Sequence, residues 1–562
     1  MQKQYIYRSG IVLIGFLIFY ALIISKLFYW QVVKASDLRD VRDRQSVDSL
    51  ATPAIRGEIR TSDSYPLATN TISYLLYSNP KVIKDKETYA KGLAPLLKMD
   101  QASISALLKN DVYWITLSHN VNQDMKKAIE NLNFSGVGFQ EEAIRLYPEA
   151  SMAAHLVGFV GKKDDGSPKG FFGIEGYYDT QLQGRSGKLA IIRDALGNQI
   201  VDDIREEKKI DGRNLTLTVD RYIQYIASKR LGDGVEKYGA DGGTVIIMEP
   251  ATGKILAMSS FPRFDPHKYY EYQYDTYKNP AITDLYEPGS TFKVLIMAAG
   301  IDAGKVKPDT VCSTCSGPVQ IGEYSIKTWD DKYFPNSTMT DVIIHSDNTG
   351  MVFVGKKMGL SLLLSYFKRF GIGETTGIDL QGENSGYLRP ENSWYPIDLA
   401  TTSFGQGITV TPLELLGAVS SIANGGNLMR PFVVSKIQTE EGREIEIKPQ
   451  LKKRTVSAST AKAVSAMMVQ AVEKGEAQWV KIKGYDIAGK TGTAQIPVAG
   501  HYDPHQTIAS FVGFFPAKDP KVSMLVLINK PKTSIYGAET AAPIFFSIAQ
   551  DLINYLGLAP DR

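Results

Sequence analysis

The sequence predicts a multidomain α+β chain: an N-terminal transmembrane helix, a middle region of short strands and polar helices, and a large C-terminal domain with a central antiparallel sheet flanked by helices. Three observations lead there. The 562 residues allow three or four domains at about 150 residues each. A long uncharged run stands near the N-terminus, and no second run of that length follows. Strand-and-turn patterns recur near both ends of the C-terminal region, with mostly helical periodicity between them.

Composition narrows the function classes. With 22% charged and 43% hydrophobic residues, the chain is neither disordered nor collagen-like. Its 63 Lys+Arg against 60 Asp+Glu leave a net charge of +3, which argues against a basic-stripe nucleic-acid binder. Two cysteines and six scattered histidines exclude a disulfide scaffold and an all-Cys zinc site, and no HExxH spacing occurs. No metal or cofactor is called for.

The anchor comes first. Ser9 to Ser25 carry no charge, and the apolar stretch continues through Leu27, Phe28, Tyr29 and Trp30 once Lys26 snorkels to the interface. As a helix, Tyr7 to Tyr29 covers about 33 Å at about 1.5 Å per residue, which fits two aromatic belts. Residues 1–8 are then a tail and residues 9–30 the span. Lys3 and Arg8 favour a cytoplasmic N-terminus, against Lys26 and Lys34 on the other flank. Val33-Lys34-Ala35 offers a cleavage site for a signal peptide, but the apolar core is longer than a usual signal h-region, so an uncleaved single-pass anchor is expected. The remaining chain would lie outside, on the extracytoplasmic face.

Residues 50–210 mix strand-like runs with polar helices and contain a turn-rich segment, Gly161 to Gly170. The charged stretch Asp202 to Asp211 marks a boundary. Beyond it, in residues 213–562, Asn214 to Asp220 alternates as a strand and Arg221 to Ala227 reads as a helix. Thr244–Met248 and Lys254–Met258 flank Pro250-Ala251-Thr252-Gly253, a hairpin signal. Ala509–Phe515 and Val522–Ile528 form a second pair. A sheet assembled from both ends of the domain, with helices packed on it, is the economical fold.

Candidate chemistry begins at Glu287-Pro288-Gly289-Ser290-Thr291-Phe292-Lys293, whose Pro-Gly entry into an apolar run predicts a buried helix starting near Ser290. Ser290 and Lys293 then share one helical face. A serine needs a base to attack a carbonyl, and a lysine whose ammonium is destabilised by burial and a neighbouring cation can serve. Alone the pattern is weak, because Ser-x-x-Lys also occurs at Ser78, Ser365 and Ser459. Two more elements follow in order: Ser346-Asp347-Asn348 after an apolar stretch, and Lys490-Thr491-Gly492-Thr493 on a strand of small residues. Together the three are the signature of penicillin-binding proteins and class A β-lactamases.

The chain resembles a class B penicillin-binding protein, a membrane-anchored peptidoglycan D,D-transpeptidase. Besides the three motifs, Thr402-Ser403-Phe404-Gly405-Gln406-Gly407, Thr411-Pro412, Ala423-Asn424-Gly425-Gly426 and Ala488 to Gln495 resemble that family's catalytic domain. Arg56-Gly57-Glu58-Ile59, Arg145-Leu146-Tyr147-Pro148 and Gly173 to Asp179 resemble its elongated, dimerisation-like pedestal. The likeness covers about residues 50–550 and is densest after Asn214. It implies a pedestal over 50–210 and a penicillin-binding transpeptidase domain over 213–562. Two departures stand out: Asp347 sits where a small or apolar residue is expected, and Arg60-Thr61-Ser62-Asp63 replaces the usual continuation of the first pedestal motif.

The resemblance and the residue chemistry imply the same roles. Ser290 attacks the carbonyl of a D-alanyl-D-alanine stem peptide, Lys293 is the acylation base, and Ser346 relays a proton to the leaving amine. The Asn348 amide orients the peptide. Lys490 helps keep Lys293 deprotonated and attracts the substrate carboxylate, which the Thr491 and Thr493 hydroxyls also bind. Backbone N–H groups of Ser290 and Thr493 form the oxyanion hole, and Gly489 and Gly492 let the strand approach the substrate. β-Lactams would acylate the same serine. The implied partner is a lipid-linked glycan polymerase, and the pedestal motifs look more division-type than elongation-type.

Other residues have bland readings. Cys312 and Cys315 form Cys-x-x-Cys without thioredoxin-like context, so a local disulfide or two idle thiols is expected. His345 is read as packed or solvated, and Tyr269, Tyr270, Tyr272, Tyr274 and Tyr277 as a surface loop. Three rivals remain in view: a D,D-carboxypeptidase, a catalytically silent wall-synthesis scaffold, and a β-lactamase or β-lactam sensor, the last disfavoured by the absence of Glu-x-x-Leu-Asn between Ser346 and Lys490.

Overall fold

A computed structural model describes residues 2–35, 37, 47–192, 205–498 and 501–561. Two compact units are present, Met1–Ile55 with Gly184–Asp211, and Arg56–Gln183 with Gly212–Arg562.

In the first unit the N-terminal helix spans Gln2–Phe28 and runs on as a π turn over Tyr29–Val33. Within Ile6–Val33 an 18-residue window has a mean hydropathy of 2.5, and none of it is buried among the described residues. Such a helix is long and apolar enough to cross a membrane, where only a segment that satisfies its own backbone hydrogen bonds is stable. The same unit holds a three-stranded antiparallel sheet of Val47–Thr52, Gly187–Ile192 and Arg205–Glu207. The charged stretch expected as a boundary, Asp202 to Asp211, falls partly outside the described residues.

In the second unit, the long strand Pro66–Ser78 pairs antiparallel with Ile115–Val121 and Val137–Leu146. Helices Lys86–Leu97, Gln101–Leu108 and Gln123–Glu130 cover it, each opened by a side-chain cap from Asp85, Asp100 or Asn122. Leu76, Leu93, Ile104 and Leu108 give this end its own small core. The sheet crosses the division expected between residues 210 and 213. Ile59–Arg60 pairs in parallel with Asn214–Leu217, which pairs antiparallel with Val434–Gln438.

Buried charge holds the earlier side of this sheet together. Glu175, with no exposed surface, accepts from Arg56 Nε at 2.7 Å and Arg145 Nε at 2.7 Å, and Arg56 also reaches Asp179 at 2.8 Å. Further along, the Tyr178 hydroxyl donates to Asp379 at 2.9 Å, and Asp379 accepts the N–H groups of Val433 and Val434. The tyrosine cluster differs from expectation. Tyr270 and Tyr274 are exposed, but Tyr277 is buried and Tyr269 stacks on Phe159 with ring centroids 4.6 Å apart. Phe159, Phe172 and Phe264 supply the apolar surface, and two of the three lie about a hundred residues earlier in the chain, out of reach of local periodicity.

The C-terminal sheet is the expected one. Its strands are β1 (Gly242–Met248), β2 (Ile255–Phe261), β3 (Ala488–Val498), β4 (His501–Phe515) and β5 (Val522–Asn529), in the order β2-β1-β5-β4-β3, antiparallel throughout. Alternation sorts its two faces. Val245, Ile247, Phe511 and Val526 meet α1 (Arg221–Tyr238) and the C-terminal helix Ala541–Tyr555. Ile246, Met248, Val512 and Leu525 belong to the larger core that includes α2 (Lys293–Asp302). Burial of Lys293 through Gly300 agrees with a helix that is apolar all round.

Replacing Glu175 by Ala removes the carboxylate shared by two buried guanidinium groups and leaves Arg145 without its ion-pair partner, while Arg56 keeps Asp179. We expect a loss of about 3–5 kcal/mol, read as a lowered urea midpoint with an unchanged slope.

Candidate active site

Ser290 lies half-buried on a 3₁₀ turn, Gly289–Phe292, and α2 begins at Lys293. The helix was expected to start near Ser290; instead one tight turn precedes it. Gly289 has φ +55° and its N–H donates to Gly405 O at 2.9 Å. Gly405 itself has φ +85°, and a Cβ there would stand 2.1 Å from Gly289 O. The Thr402 to Gly407 motif therefore clamps the turn that carries Ser290. Glu287, on the same turn, accepts from Gly407 N at 3.0 Å and from the Tyr502 hydroxyl at 3.0 Å.

Lys293 is completely buried. Its Nζ donates to Ser346 O at 2.6 Å, to Ser346 Oγ at 3.3 Å and to Asn348 Oδ1 at 2.7 Å. The strong carbonyl contact depends on backbone shape. Ser346 has φ +55°, which is costly for a residue with a side chain. It lies between α3 (Met339–Ile344) and α4 (Asn348–Met358). Asp347 closes this turn as the cap of α4, accepting from Thr349 N and Thr349 Oγ1 at 2.7 Å each. That answers what an acid does at this unusual position: it satisfies the first N–H groups of the helix. Asn348 is engaged at both ends, since Nδ2 donates to Lys327 O at 2.9 Å. In this arrangement its amide bridges Lys293 Nζ and the Lys327 carbonyl.

The third motif runs along β3, the edge strand beside the Ser290 turn. Lys490 is buried, and its Nζ donates to Thr491 Oγ1 at 3.1 Å and Thr491 O at 3.2 Å. Thr491 Oγ1 in turn donates to Glu476 at 2.6 Å. Thr493 Oγ1 accepts from Gly537 N at 3.0 Å. The two hydroxyls thus differ: the Thr491 proton is committed to Glu476, whereas Thr493 acts here as acceptor and keeps its proton to give. The glycines also act otherwise than expected. A Cβ on Gly489 would meet the Phe511 ring at 2.5 Å, and one on Gly492 would meet Ser510 Oγ at 2.4 Å and Thr291 Cγ2 at 2.9 Å. The room they leave is filled by protein, and at Gly492 it brings β3 against the Ser290 turn.

Electrostatics follow from burial. Loss of solvent and the nearby charge of Lys490 bring the Lys293 ammonium down to about 7, against the opposing pull of Glu476 and Asp347. Lys490 is also lowered by burial and is supported by Glu476. Glu476 belongs to no motif; only its place in the fold reveals it. His345 stacks on Phe334 with ring centroids 3.9 Å apart, the packed reading. Cys312 and Cys315 form a disulfide.

A serine hydroxyl at a helix start, an amine able to be neutral near pH 7 and a second buried cation make a site suited to acyl transfer through serine. The family model for the "Penicillin binding protein transpeptidase domain" matches residues 243–550, and that for the "Penicillin-binding Protein dimerisation domain" matches residues 51–217. The chain is 33% identical to Stage V sporulation protein D of Bacillus subtilis, over 98% of this chain and 86% of the relative. It is 30% identical to peptidoglycan D,D-transpeptidase FtsI of Escherichia coli, over 94% of this chain and 87% of the relative. A peptidoglycan synthetase structure from Bifidobacterium adolescentis superposes with a TM-score of 0.75 at 26% identity, covering 92% of this chain and 98% of that one. The chain belongs to the penicillin-binding protein transpeptidases, and within them it is a class B enzyme, a peptidoglycan D,D-transpeptidase.

If neutral Lys293 is the base, the rate of acylation by penicillin falls below about pH 7, by about tenfold per unit. Stopped-flow acylation across pH checks this; a flat acid side would rule Lys293 out.

Proposed function

We propose that Ser290, Lys293, Ser346, Asn348, Lys490 and Thr493 carry the reaction. The observation that supports this most is the shared hydrogen-bonding of Lys293 Nζ to Ser346 and Asn348, which joins the first two motifs through one buried amine. In acylation, Ser290 Oγ bonds to the penultimate D-alanine carbonyl carbon while its proton passes to Lys293. The carbon–nitrogen bond then breaks, and a proton reaches the leaving amine by way of Ser346, whose hydroxyl oxygen accepts from Lys293 and whose own proton can point outward. A neighbouring stem peptide's amine then attacks the acyl-enzyme, restoring Ser290 and forming the cross-link.

Lys490 draws the substrate carboxylate, and Thr493 is the better hydroxyl for it because its proton is uncommitted. The oxyanion hole is assigned to the Ser290 and Thr493 N–H groups, supported by the position of β3 as an edge strand beside the nucleophile turn. Gly492 serves by permitting that approach. Thr491 serves as the link between Lys490 and Glu476.

The rest of the assignment extends outward. The N-terminal helix is a single-pass anchor with its N-terminus cytoplasmic, on the evidence of Lys3 and Arg8, and the enzyme acts outside the membrane. Residues 50–210 serve as pedestal and residues 213–562 as catalytic domain. A lipid-linked glycan polymerase of a division-type complex is the proposed partner, supported by likeness to proteins named for sporulation and for FtsI.

Mass spectrometry after penicillin treatment tests the nucleophile: the wild type gains one covalent adduct and Ser290→Ala gains none, whereas an adduct on the variant would sink the assignment. Thr493→Val should slow acylation by about 10- to 100-fold, the worth of one hydrogen bond to a charged group, and lower the unfolding midpoint modestly because it also removes the acceptor of the Gly537 N–H.

A further inference from the structure

Glu476 has no place in any motif, yet it is built into the site. Helix α5 (Ala458–Lys474) ends against Gly475, where a Cβ would stand 2.3 Å from Ala471 O and 2.8 Å from Ile344 O. Ala477, on the other side, is buried. The backbone on both flanks of Glu476 is therefore fixed. Its carboxylate lines, with Ile344, Lys490, Thr491 and Phe511, a void of about 10 Å³, which has room for a single water at most. From there Oε2 accepts the Thr491 hydroxyl at 2.6 Å, and Thr491 Oγ1 accepts Lys490 Nζ at 3.1 Å.

The site must solve a charge problem. Lys293 and Lys490 are both buried and near enough for the charge of one to act on the other. The proposed reaction needs them in opposite states, Lys293 neutral and Lys490 charged. The charges acting on Lys293 are Lys490, Glu476 and Asp347; on Lys490 it is Glu476 that acts. Asp347 is occupied at Oδ1 by the cap of α4. Glu476 is thus the anion bonded, through one hydroxyl, to the lysine that must stay charged.

We propose that Glu476 is a positioning residue that, through Thr491, keeps Lys490 protonated while Lys293 works as a neutral base. The inference rests on the proposed role of Lys293. Its consequence is directional. An anion stabilises the protonated form of both lysines, so its loss lets each give up its proton at a lower pH. Both limbs of a bell-shaped acylation profile then move to the acid side: the acid limb follows Lys293 and the alkaline limb follows Lys490.

Penicillin acylation of the full chain, measured from below neutrality well into the alkaline range, tests this with Glu476→Gln, which still accepts the Thr491 hydroxyl but carries no charge. The expected result is displacement of the alkaline limb by about one pH unit or more, a smaller shift of the acid limb in the same direction, and return toward wild-type positions in Glu476→Asp. Glu476→Ala serves as a second neutral variant should Gln prevent folding. A profile lowered in height with both limbs in place overturns the proposal, because a packing or hydrogen-bonding role would give that result. Limbs that stay displaced in Glu476→Asp overturn the charge role as well. A wild type without an acid limb overturns the base assignment itself, and this inference with it.

Discussion

An amine buried without solvent, at the start of an apolar helix, is the constraint around which the catalytic domain is organised. Lys293 has no exposed surface and three acceptors within reach. A buried ammonium is costly unless bonded and compensated, and a buried neutral amine gives up part of that bonding. Holding the group between these states requires acceptors that cannot move. The Ser346 carbonyl meets this need because its peptide is locked in a left-handed conformation between two capped helices. Flexible side chains would relax away and let the amine settle into one state.

The fold supplies that rigidity from distant parts of the chain. α2 is apolar all round and packs against α4 and α5. β3 closes the site from the sheet edge, drawn in at Gly492, and the Thr402 to Gly407 segment clamps the Ser290 turn through Gly405. The catalytic sheet joins strands from both ends of its domain, since β1 pairs with β5. The pedestal joins by the same means, a shared sheet, and by the buried Tyr178–Asp379 hydrogen bond.

Much of this was legible in sequence because the signals are local. The N-terminal apolar helix shows as an uncharged run, the β1–β2 hairpin as a Pro-Ala-Thr-Gly turn between apolar runs, and the Ser290 turn as Pro-Gly before an apolar helix. What stayed hidden depends on partners far along the chain. The tyrosines around Tyr277 read as a polar loop until Phe159 and Phe172 are placed beneath them. Gly489 and Gly492 announce close approach without saying to what, and the answer is Phe511, Ser510 and Thr291. Glu476 sits after an ordinary helix end, and its meaning appears only when β3 lies across it.

The two acids at the site divide between distinct tasks. Asp347 spends one oxygen on the cap of α4, while its buried Oδ2 has no hydrogen-bond partner among the described residues. An orphaned carboxylate oxygen costs stability, so its presence needs a compensating reason. One is mechanical: the cap fixes the turn that aims the Ser346 carbonyl at Lys293. The other is electrostatic, since its charge opposes the push of Lys490 on the Lys293 ammonium. A base must still accept a proton from serine, so the best environment is one that lowers its affinity to near the working pH and no further. At Lys293, burial and the charge of Lys490 lower that affinity while Glu476 and Asp347 raise it, so the proposed base is held between opposing influences.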